Sequence, residues 1–315
     1  MRKNDNSALV PKPPSAVEKT TPSAKRIMSG MVAETVALAR SKSNSQPDAS
    51  EEADCEDEPD LFWIRHAAEQ GHAKAQMMLG DCYYNGYPVP KDYVEATKWW
   101  CKAADQGHVE AQFNLGCCYA TGKGVEKDFV KAVMWWRKAA DQGHVEAQYN
   151  LGYCYTRGEG VPKDYVEAAK WYRKAAEQNY APAQNSLGDC YGTGEGVPKD
   201  YVEATKWWCK AAEQNHVHAQ YSLGAYYYYG MGVPKDEVEG VKWYRKAAEQ
   251  GHEFAQHWLT IPRDGVDIIE SYKWRRVRAD KPDDENLESI KENMTPEQIE
   301  KGEALAREFL SKSAQ

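Results

Sequence analysis

Apolar residues recur with a helical period along most of the chain. In the stretch after His108, the residues Ala111, Leu115 and Cys118 are spaced by four and three positions, which places them on one face of a helix. A second amphipathic stretch follows each such segment and begins at or near the letters D-Y-V-E. This alternation predicts pairs of short helices joined by turns.

The pairs repeat every 36 residues. A Leu-Gly dipeptide marks each copy, at Leu79-Gly80, Leu115-Gly116, Leu151-Gly152, Leu187-Gly188 and Leu223-Gly224, and a sixth, imperfect copy begins at Leu259. A fixed period of roughly 20 to 50 residues is typical of stacked supersecondary units. The predicted fold is all-α, an α/α superhelical solenoid of about six 36-residue helix-turn-helix repeats with a C-terminal capping helix.

Capping residues predict where the second helix of each pair begins and ends. Asp92, Asp164 and Asp200 stand before it, each with a glutamate three positions later, and this spacing predicts a capping box. Glycine and asparagine, which tolerate the left-handed conformation of a helix end, alone occupy the closing position: Gly71, Gly107, Gly143, Asn179, Asn215 and Gly251.

Two copies depart from this pattern. Glycine recurs at one loop position in copies two to five, but Pro88 stands there in the first copy. Proline cannot adopt a positive φ, so that loop is expected to differ. In the sixth copy Leu259 lies eight residues before Asp267 instead of thirteen, and the last helical pair is expected to be shortened.

The two ends differ from the repeats. Residues 1–58 are rich in Ser, Pro, Lys and acids and are predicted to form a disordered arm, with an amphipathic helix at about 25–40. Residues 59–280 form the predicted solenoid. Residues 281–315 are predicted to cap it with a helix over about 296–310, closing the open end with Ile299, Leu305, Ala306 and Phe309.

The motifs A-x-A-Q-x-x-L-G-x-x-Y, G-x-G-V-P-K-D-Y and K-W-Y-R-K-A-A-E-Q-G resemble the Sel1-like repeat, a relative of the tetratricopeptide repeat. The resemblance covers residues 59–280 and implies an α/α superhelix that binds proteins or peptides, with scaffold or adaptor work as the expected role. Distant cysteine-rich relatives, for which hydrolytic activity has been suggested, pair thiols across each helical hairpin. Cys101 and Cys209 lack that pattern here.

Charge and hydropathy exclude several functions. The net charge is −8, and the acidic repeats are a poor match for nucleic acid, whose phosphates demand clustered Lys/Arg. No stretch approaches the roughly 20 apolar residues of an integral membrane segment, and no apolar run near the start resembles an export signal. The chain is therefore expected to be cytoplasmic, where its eight cysteines stay reduced.

Four cysteines occupy the same position in successive copies: Cys82, Cys118, Cys154 and Cys190. Neighbouring packed helices lie roughly 8 to 10 Å apart, whereas a disulfide needs Cα atoms within about 7 Å. These thiols can therefore neither pair nor converge on one zinc ion, and Tyr226 replaces the cysteine in the fifth copy. They are predicted to be small buried packing residues, while Cys55 is expected to be an exposed thiol.

Histidine and tryptophan also recur once per copy. His72, His108, His144 and His252 follow the helix-ending glycine and are predicted to contact the end of the preceding helix. Core packing between repeats is predicted for one tryptophan of each second helix: Trp99, Trp135, Trp171, Trp207, Trp243 and Trp274. No pattern predicts a catalytic residue, a cofactor or a metal ligand.

Positions that vary between copies are free to serve a ligand. On the first helices they lie opposite the leucine stripe, where Asn185 and Asp189 are found in the fourth copy. Tyrosine and phenylalanine on such a face are typical of interfaces, and first helices line the concave side of helical solenoids. The predicted groove residues are Met77, Asp81, Tyr84, Phe113, Tyr149, Tyr153, Tyr221 and Tyr228. The alternative is that these residues only pack against neighbouring first helices.

The leading prediction is a cytoplasmic, non-enzymatic scaffold or adaptor that holds a helix or extended peptide of a protein partner in this groove. One alternative is a regulatory module whose own residues 25–40 occupy the groove in cis or join two copies. A second is a hydrolase of the cysteine-rich Sel1 type, which rests on the resemblance alone. A third is a membrane-surface role for the basic N-terminal helix.

Overall fold

A computed structural model describes residues 59–279 and 285–313 of the chain. These residues form fifteen α-helices and no β-strand, and none of the helices is long and apolar enough to cross a membrane. The all-α prediction is confirmed. The predicted helix at 25–40 and Cys55 lie outside the described residues.

The chain divides into two compact units, Met1–Asp164 and Tyr165–Gln315. The helices of the first unit are α1 (Pro59–Glu69), α2 (Ala73–Asn85), α3 (Tyr93–Asp105), α4 (Val109–Thr121), α5 (Phe129–Asp141) and α6 (Val145–Arg157). Those of the second unit are α7 (Tyr165–Glu177), α8 (Ala181–Thr193), α9 (Tyr201–Glu213), α10 (Val217–Tyr229), α11 (Glu237–Glu249), α12 (Glu253–Leu259), α13 (Ile268–Arg278), α14 (Glu285–Lys291) and α15 (Pro296–Ser313).

The second helices end as predicted. In the first unit the closing residues Gly107 and Gly143 have φ of 86° and 93°, and in the second unit Asn179 and Asn215 have φ of 64° and 62°. Glycine and asparagine adopt this left-handed conformation at the least steric cost. Within each unit the chain therefore turns at the same point of successive copies.

The aspartate caps at Asp92 and Asp200 are confirmed, but only half of the predicted capping box forms there. The Asp92 carboxylate accepts the backbone N–H groups of Val94 and Glu95 at 2.9 and 3.0 Å. The backbone N–H of Asp92 itself donates to the carbonyl of Tyr83, 2.9 Å away in α2. Because that amide is already bonded, the Glu95 side chain pairs with Lys98 at 2.6 Å instead.

The Leu-Gly pairs hold the two helices of a hairpin at close range. In the first unit Leu115 is fully buried, and a Cβ on Gly116 would lie 2.5 Å from Cδ1 of Trp136. In the second unit a Cβ on Gly188 would lie 2.7 Å from the same atom of Trp208. Glycine is therefore required there, because the flat face of the ring occupies the space of a side chain.

The most deeply buried aromatic residues are not the predicted tryptophans. The rings that cover the Leu-Gly glycines belong to the residue directly after each predicted tryptophan. With Tyr172 they form the aromatic core: Trp100, Trp136, Trp208 and Tyr244. Of the predicted tryptophans, Trp135, Trp171 and Trp274 are buried, whereas Trp99, Trp207 and Trp243 are half-buried. In α3, α5, α7, α9 and α11 a lysine three residues later covers the predicted ring at 3.7 to 4.1 Å.

Buried glutamines link successive copies within each unit. The side-chain N–H of Gln112 donates to the carbonyl of Ala104 at 3.1 Å, and its oxygen accepts from Gln142 at 2.8 Å. In the second unit Gln214 donates to Gln184 at 2.8 Å. Polar groups removed from water are costly unless they are hydrogen-bonded. These glutamine hydrogen bonds therefore favour one alignment of each repeat with the next.

Loop glycines fix the contact between one repeat and the next. Gly124 has a φ of 72° and lies directly against the backbone carbonyl of Tyr93, at the start of α3. In the second unit Gly196 meets Tyr165 in the same way. The loop that holds Pro88 differs, as expected, and its Tyr87–Pro88 peptide bond is cis.

The second unit ends in the predicted shortened hairpin and a terminal helix. α12 has seven residues, against thirteen in α10. The capping box that opens α15 is complete, since Thr295 and Gln298 exchange side-chain to backbone bonds of 2.8 and 3.3 Å. Phe309 packs edge-on against Trp274 at 5.1 Å and Ala306 is fully buried, but Leu305 points to solvent.

Candidate functional site

Three of the eight predicted groove residues are buried: Met77, Tyr84 and Phe113. Tyr84 packs against the rings of Tyr93 and Trp100, with centroids 5.0 and 5.1 Å away. Phe113 stacks on the His144 ring at 4.4 Å. The prediction of a solvated surface is wrong for these three residues, because neighbouring side chains cover them.

The other five keep part of their side chains in solvent: Asp81, Tyr149, Tyr153, Tyr221 and Tyr228. On α6 the Arg157 guanidinium lies 5.6 Å from the Tyr153 ring centroid. On α10, Tyr221 stacks on His252 at 4.5 Å, and Tyr228 meets Trp258 edge-on at 4.9 Å. Each unit has its own varied face, formed by Asp81, Tyr149 and Tyr153 in the first unit and by Asp189, Tyr221 and Tyr228 in the second.

One carboxylate of each varied face accepts a hydrogen bond from a buried indole. In the first unit Trp100 Nε1–H donates to Oδ1 of Asp81 at 3.2 Å. In the second unit Trp208 Nε1–H donates to Oδ1 of Asp189 at 3.0 Å, and Nδ2 of Asn185 donates to the other oxygen at 3.1 Å. The sequence placed both aspartates on this face, but nothing in their spacing indicated the indole bonds.

Burial raises the pKa of both carboxyl groups to about 7, although the indole hydrogen bonds act in the opposite direction. The Asp189 side chain is nonetheless exposed to solvent. Its raised pKa therefore reflects protein packed around the carboxyl group and not burial of the whole side chain.

The repeat cysteines are packing residues, as predicted. Cys82, Cys118, Cys154 and Cys190 are all buried. Burial raises the pKa of the Cys118, Cys154 and Cys190 thiols to about 12. In residues 59–279 and 285–313, no three His, Cys, Asp or Glu side chains are grouped so as to hold a metal ion.

We expect Cys118 and Cys154 to react with a disulfide reagent at least 100-fold more slowly than Cys101, because only the thiolate attacks and burial suppresses it. Cys101 is half-buried and serves as the matched thiol. Peptide mapping by mass spectrometry after timed labelling at neutral pH measures each rate. In urea all three should react alike, and fast labelling of Cys118 in the folded protein would contradict the packing assignment.

Four histidines cap first helices through a ring nitrogen, whereas the His72 side chain makes no capping bond to α2. Nδ1 accepts the backbone N–H of the alanine three residues later at 3.2 to 3.4 Å in His108, His144, His216 and His252. The predicted contact with the preceding helix is made by the backbone instead, since the N–H of His108 donates to the carbonyl of Ala103 at 3.1 Å. A capping Nδ1 must be unprotonated, a requirement that residue spacing alone did not indicate.

Acid is expected to weaken the fold through these caps. Burial lowers the pKa of His216 to about 4, so the unfolded chain binds a proton more tightly than the folded one. The stability that His216 contributes is therefore present above its ordinary pKa of about 6.5 and is lost as the pH falls toward 4. Substituting asparagine, a good N-cap that does not titrate, should remove this loss.

Urea unfolding of the native protein and of His216→Asn at about pH 7.5 and pH 5 tests this expectation. The variant should match the native protein at the higher pH and exceed it by about 1 kcal/mol at the lower one. His257→Asn, at an exposed histidine, is the control. Equal acid sensitivity of His216→Asn and the native protein would contradict the capping role.

The fold and the varied faces together define a helical repeat protein, in which repeated positions build the stack and varied positions carry the surface chemistry. A family model for the Sel1 repeat matches residues 73–108, 109–144, 145–180, 181–216 and 217–252, more than half of the chain. The chain belongs to the Sel1 repeat family. Repeats of this family typically mediate protein–protein interactions, and proteins built from them are generally non-enzymatic.

Two bacterial structures show how far the similarity extends. A protective antigen of uropathogenic Escherichia coli strains, with an SLR fold, is 35% identical to the chain at a TM-score of 0.68, and the match covers 80% of this chain and 56% of the antigen. A Sel1 repeat protein from Oxalobacter formigenes is 34% identical at a TM-score of 0.61, over 71% of this chain and 91% of its own. The chain thus spans little more than half of the antigen's length, and no curated protein matches it.

Proposed function

We propose that this chain is a non-enzymatic scaffold that holds a helix or extended peptide of a protein partner against the varied face of one unit. The observation that carries the proposal is the half-buried pair Tyr149 and Tyr153, four residues apart on one face of α6. Tyrosine combines a large apolar ring with a polar hydroxyl and is enriched at interface centres. Because both residues lie on the same side of the helix, one partner can contact both.

Stacking does not require tyrosine at either position. Asn185 stands in the fourth copy where Tyr149 stands in the third, and Cys117 and Ala225 stand where Tyr153 does. The core beneath is already filled by fully buried repeated residues such as Leu151. Large aromatic side chains that packing does not need, and that remain partly in solvent, favour a binding role.

Selection of binders from a random peptide library displayed on phage, with the full chain as bait, tests the proposal. Replacing both Tyr149 and Tyr153 with alanine should weaken binding of the selected peptides by roughly 30-fold or more. Aromatic anchors at an interface commonly account for about 2 kcal/mol each or more. Isothermal titration calorimetry measures the change in affinity.

The matched control replaces Val94 and Val130, which are 51% and 66% exposed on the second helices α3 and α5, with alanine. This pair should leave the affinity unchanged. Unaltered binding by the tyrosine variant would refute the proposal. A collapse of its melting temperature would show instead that the tyrosines belong to the core.

In the regulatory alternative, residues 25–40 of the same chain bind the varied face and compete with the partner. Their apolar side chains are candidates for the contact, so replacing Ile27 and Met31 with aspartate in the full chain should then strengthen binding of a selected peptide, since a tethered competitor is removed. The affinity of one selected peptide for the native chain is compared with its affinity for the variant. Equal affinities would leave the scaffold without cis regulation.

We place the scaffold in the cytoplasm as part of the same proposal. Cys101 and Cys209 are half-buried free thiols. Persistent thiols that remain within reach of oxidants are typical of a reducing compartment, which supports this location.

A further inference from the structure

Asp81 and Asp189 are carboxyl groups that no cationic side chain of the described residues pairs with. Trp100 and Trp208 each donate a neutral hydrogen bond to one of them, and neither carboxylate forms an ion pair within residues 59–279 and 285–313. Around Asp81 the electrostatic neighbour is another acid, Glu110. A carboxylate without a cationic partner in its own chain is available to bind a cation of another molecule.

The stack does not need a carboxylate at this position. Cys117 stands there in the second copy, opposite Trp136, and Ala225 stands there in the fifth, where Tyr244 supplies the ring. Both alternatives support the same hairpin, with the glycine one residue earlier under the ring. The two aspartates accept the indole N–H groups of Trp100 and Trp208, but the hairpin also forms without a carboxylate. Their acidity is therefore not required by the stack and is available to a ligand.

The site in the second unit has more acceptors than the described residues can satisfy. Asn185 orients the Asp189 carboxylate through its Nδ2, while its own buried Oδ1 accepts no hydrogen bond from residues 59–279 or 285–313. Acceptors around an unpaired carboxylate suit a donor that carries positive charge. A single carboxylate offers far too few oxygens for Ca²⁺ or Mg²⁺, which take about six or more ligands, so the cation must be organic.

We infer that Asp81 and Asp189 each bind a lysine or arginine side chain of the partner, which makes the partner a basic peptide. The inference rests on the proposed function and names the chemistry of its ligand. An ammonium or guanidinium group neutralises the carboxylate and donates to the oxygens that remain open. In each unit the half-buried tyrosines then contact the apolar parts of the peptide bound there, Tyr149 and Tyr153 in the first unit and Tyr221 and Tyr228 in the second.

The test uses peptides selected from the random library against the full chain, with a peptide of residues 25–40 as a defined basic probe. Selected peptides should be enriched in Lys and Arg and should bind Asp189→Asn or Asp81→Asn at least about 10-fold more weakly than the native chain. Asparagine can still accept the indole N–H, so the fold is preserved. Asp141→Asn, at an exposed acid in the first unit, is the control and should bind normally.

Peptides in which citrulline replaces arginine and norleucine replaces lysine complete a double-mutant cycle. These neutral peptides should bind the native chain weakly. Their affinity should fall no further when Asp189 is replaced with asparagine. If that variant melts at a lower temperature than the native chain, Asp189→Cys repeats the test with the residue that the chain itself uses at Cys117.

Selected peptides without basic residues, or undiminished binding to both asparagine variants, would overturn the inference. If such peptides still depend on Tyr149 and Tyr153, the scaffold function stands while the basic-peptide inference fails. If no peptide is selected, both fail. If the peptide of residues 25–40 binds the native chain but not Asp189→Asn, these residues are a basic peptide of the expected kind.

Discussion

Replacing Gly124 with alanine should lower the free energy of unfolding by about 3–5 kcal/mol. Two effects combine at this residue. Its φ of 72° lies in the left-handed region that L side chains rarely adopt, and a Cβ would overlap the backbone carbonyl of Tyr93. A carbonyl at the start of α3 cannot rotate aside as a side chain can, so the loop and the helix of the preceding repeat must separate.

Gly143→Ala separates the two effects. Gly143 has a φ of 93°, but no heavy atom lies within 4 Å of the place a Cβ would take. This control should cost only the conformational strain, about 1–2 kcal/mol. Urea unfolding measured by circular dichroism gives both values, and equal costs would show that the loop contact does not hold adjacent repeats together.

Leu151→Ala should cost about 2–5 kcal/mol, the range for large-to-small changes in a core. Leu151 is fully buried in α6. The lost methyl groups leave a cavity, because the surrounding packing relaxes only in part. Coupling between repeats should spread the loss, so the transition should shift as a whole.

The matched control is Leu310→Ala in α15, where the same side chain is 41% exposed. It should change the free energy of unfolding by less than about 0.5 kcal/mol. A cost for Leu151→Ala below that value would place Leu151 outside the core and would invalidate the helix phase deduced from the Leu-Gly repeat.

Most of the fold could be predicted from the sequence because its constraints are local. The left-handed turns at Gly107 and Asn215 require residues that tolerate positive φ, and the caps at Asp92 and Asp200 require short acceptors. Each signal recurs at a fixed interval. The helix boundaries therefore follow from backbone chemistry that adjacent residues reveal.

Contacts between helices could not be predicted in the same way. Two aromatic residues stand side by side in the second helices, as Trp99 and Trp100 do, and the pattern alone does not tell which ring enters the hairpin. The deciding factor is the space above Gly80, which the Trp100 ring fills. That fit depends on the distance between two helices, which one sequence does not reveal.

The candidate site was predicted only in part for the same reason. Met77 and Phe113 occupy positions on the first helices that are equivalent to that of Tyr149, yet they are buried whereas Tyr149 is not. Exposure at this position depends on the neighbouring side chain, such as the His144 ring that stacks on Phe113. That no cationic side chain of the described residues pairs with Asp189 also emerged only once its neighbours were known.

Hydrogen–deuterium exchange of the full chain, with and without a saturating selected peptide, tests the central claim most directly. If the varied face of a unit binds the peptide, amide exchange should slow in the first helices that carry it, α2 and α6 in the first unit or α8 and α10 in the second. The second helices α3, α5, α9 and α11 should exchange as before. Protection confined to the second helices would contradict the claim.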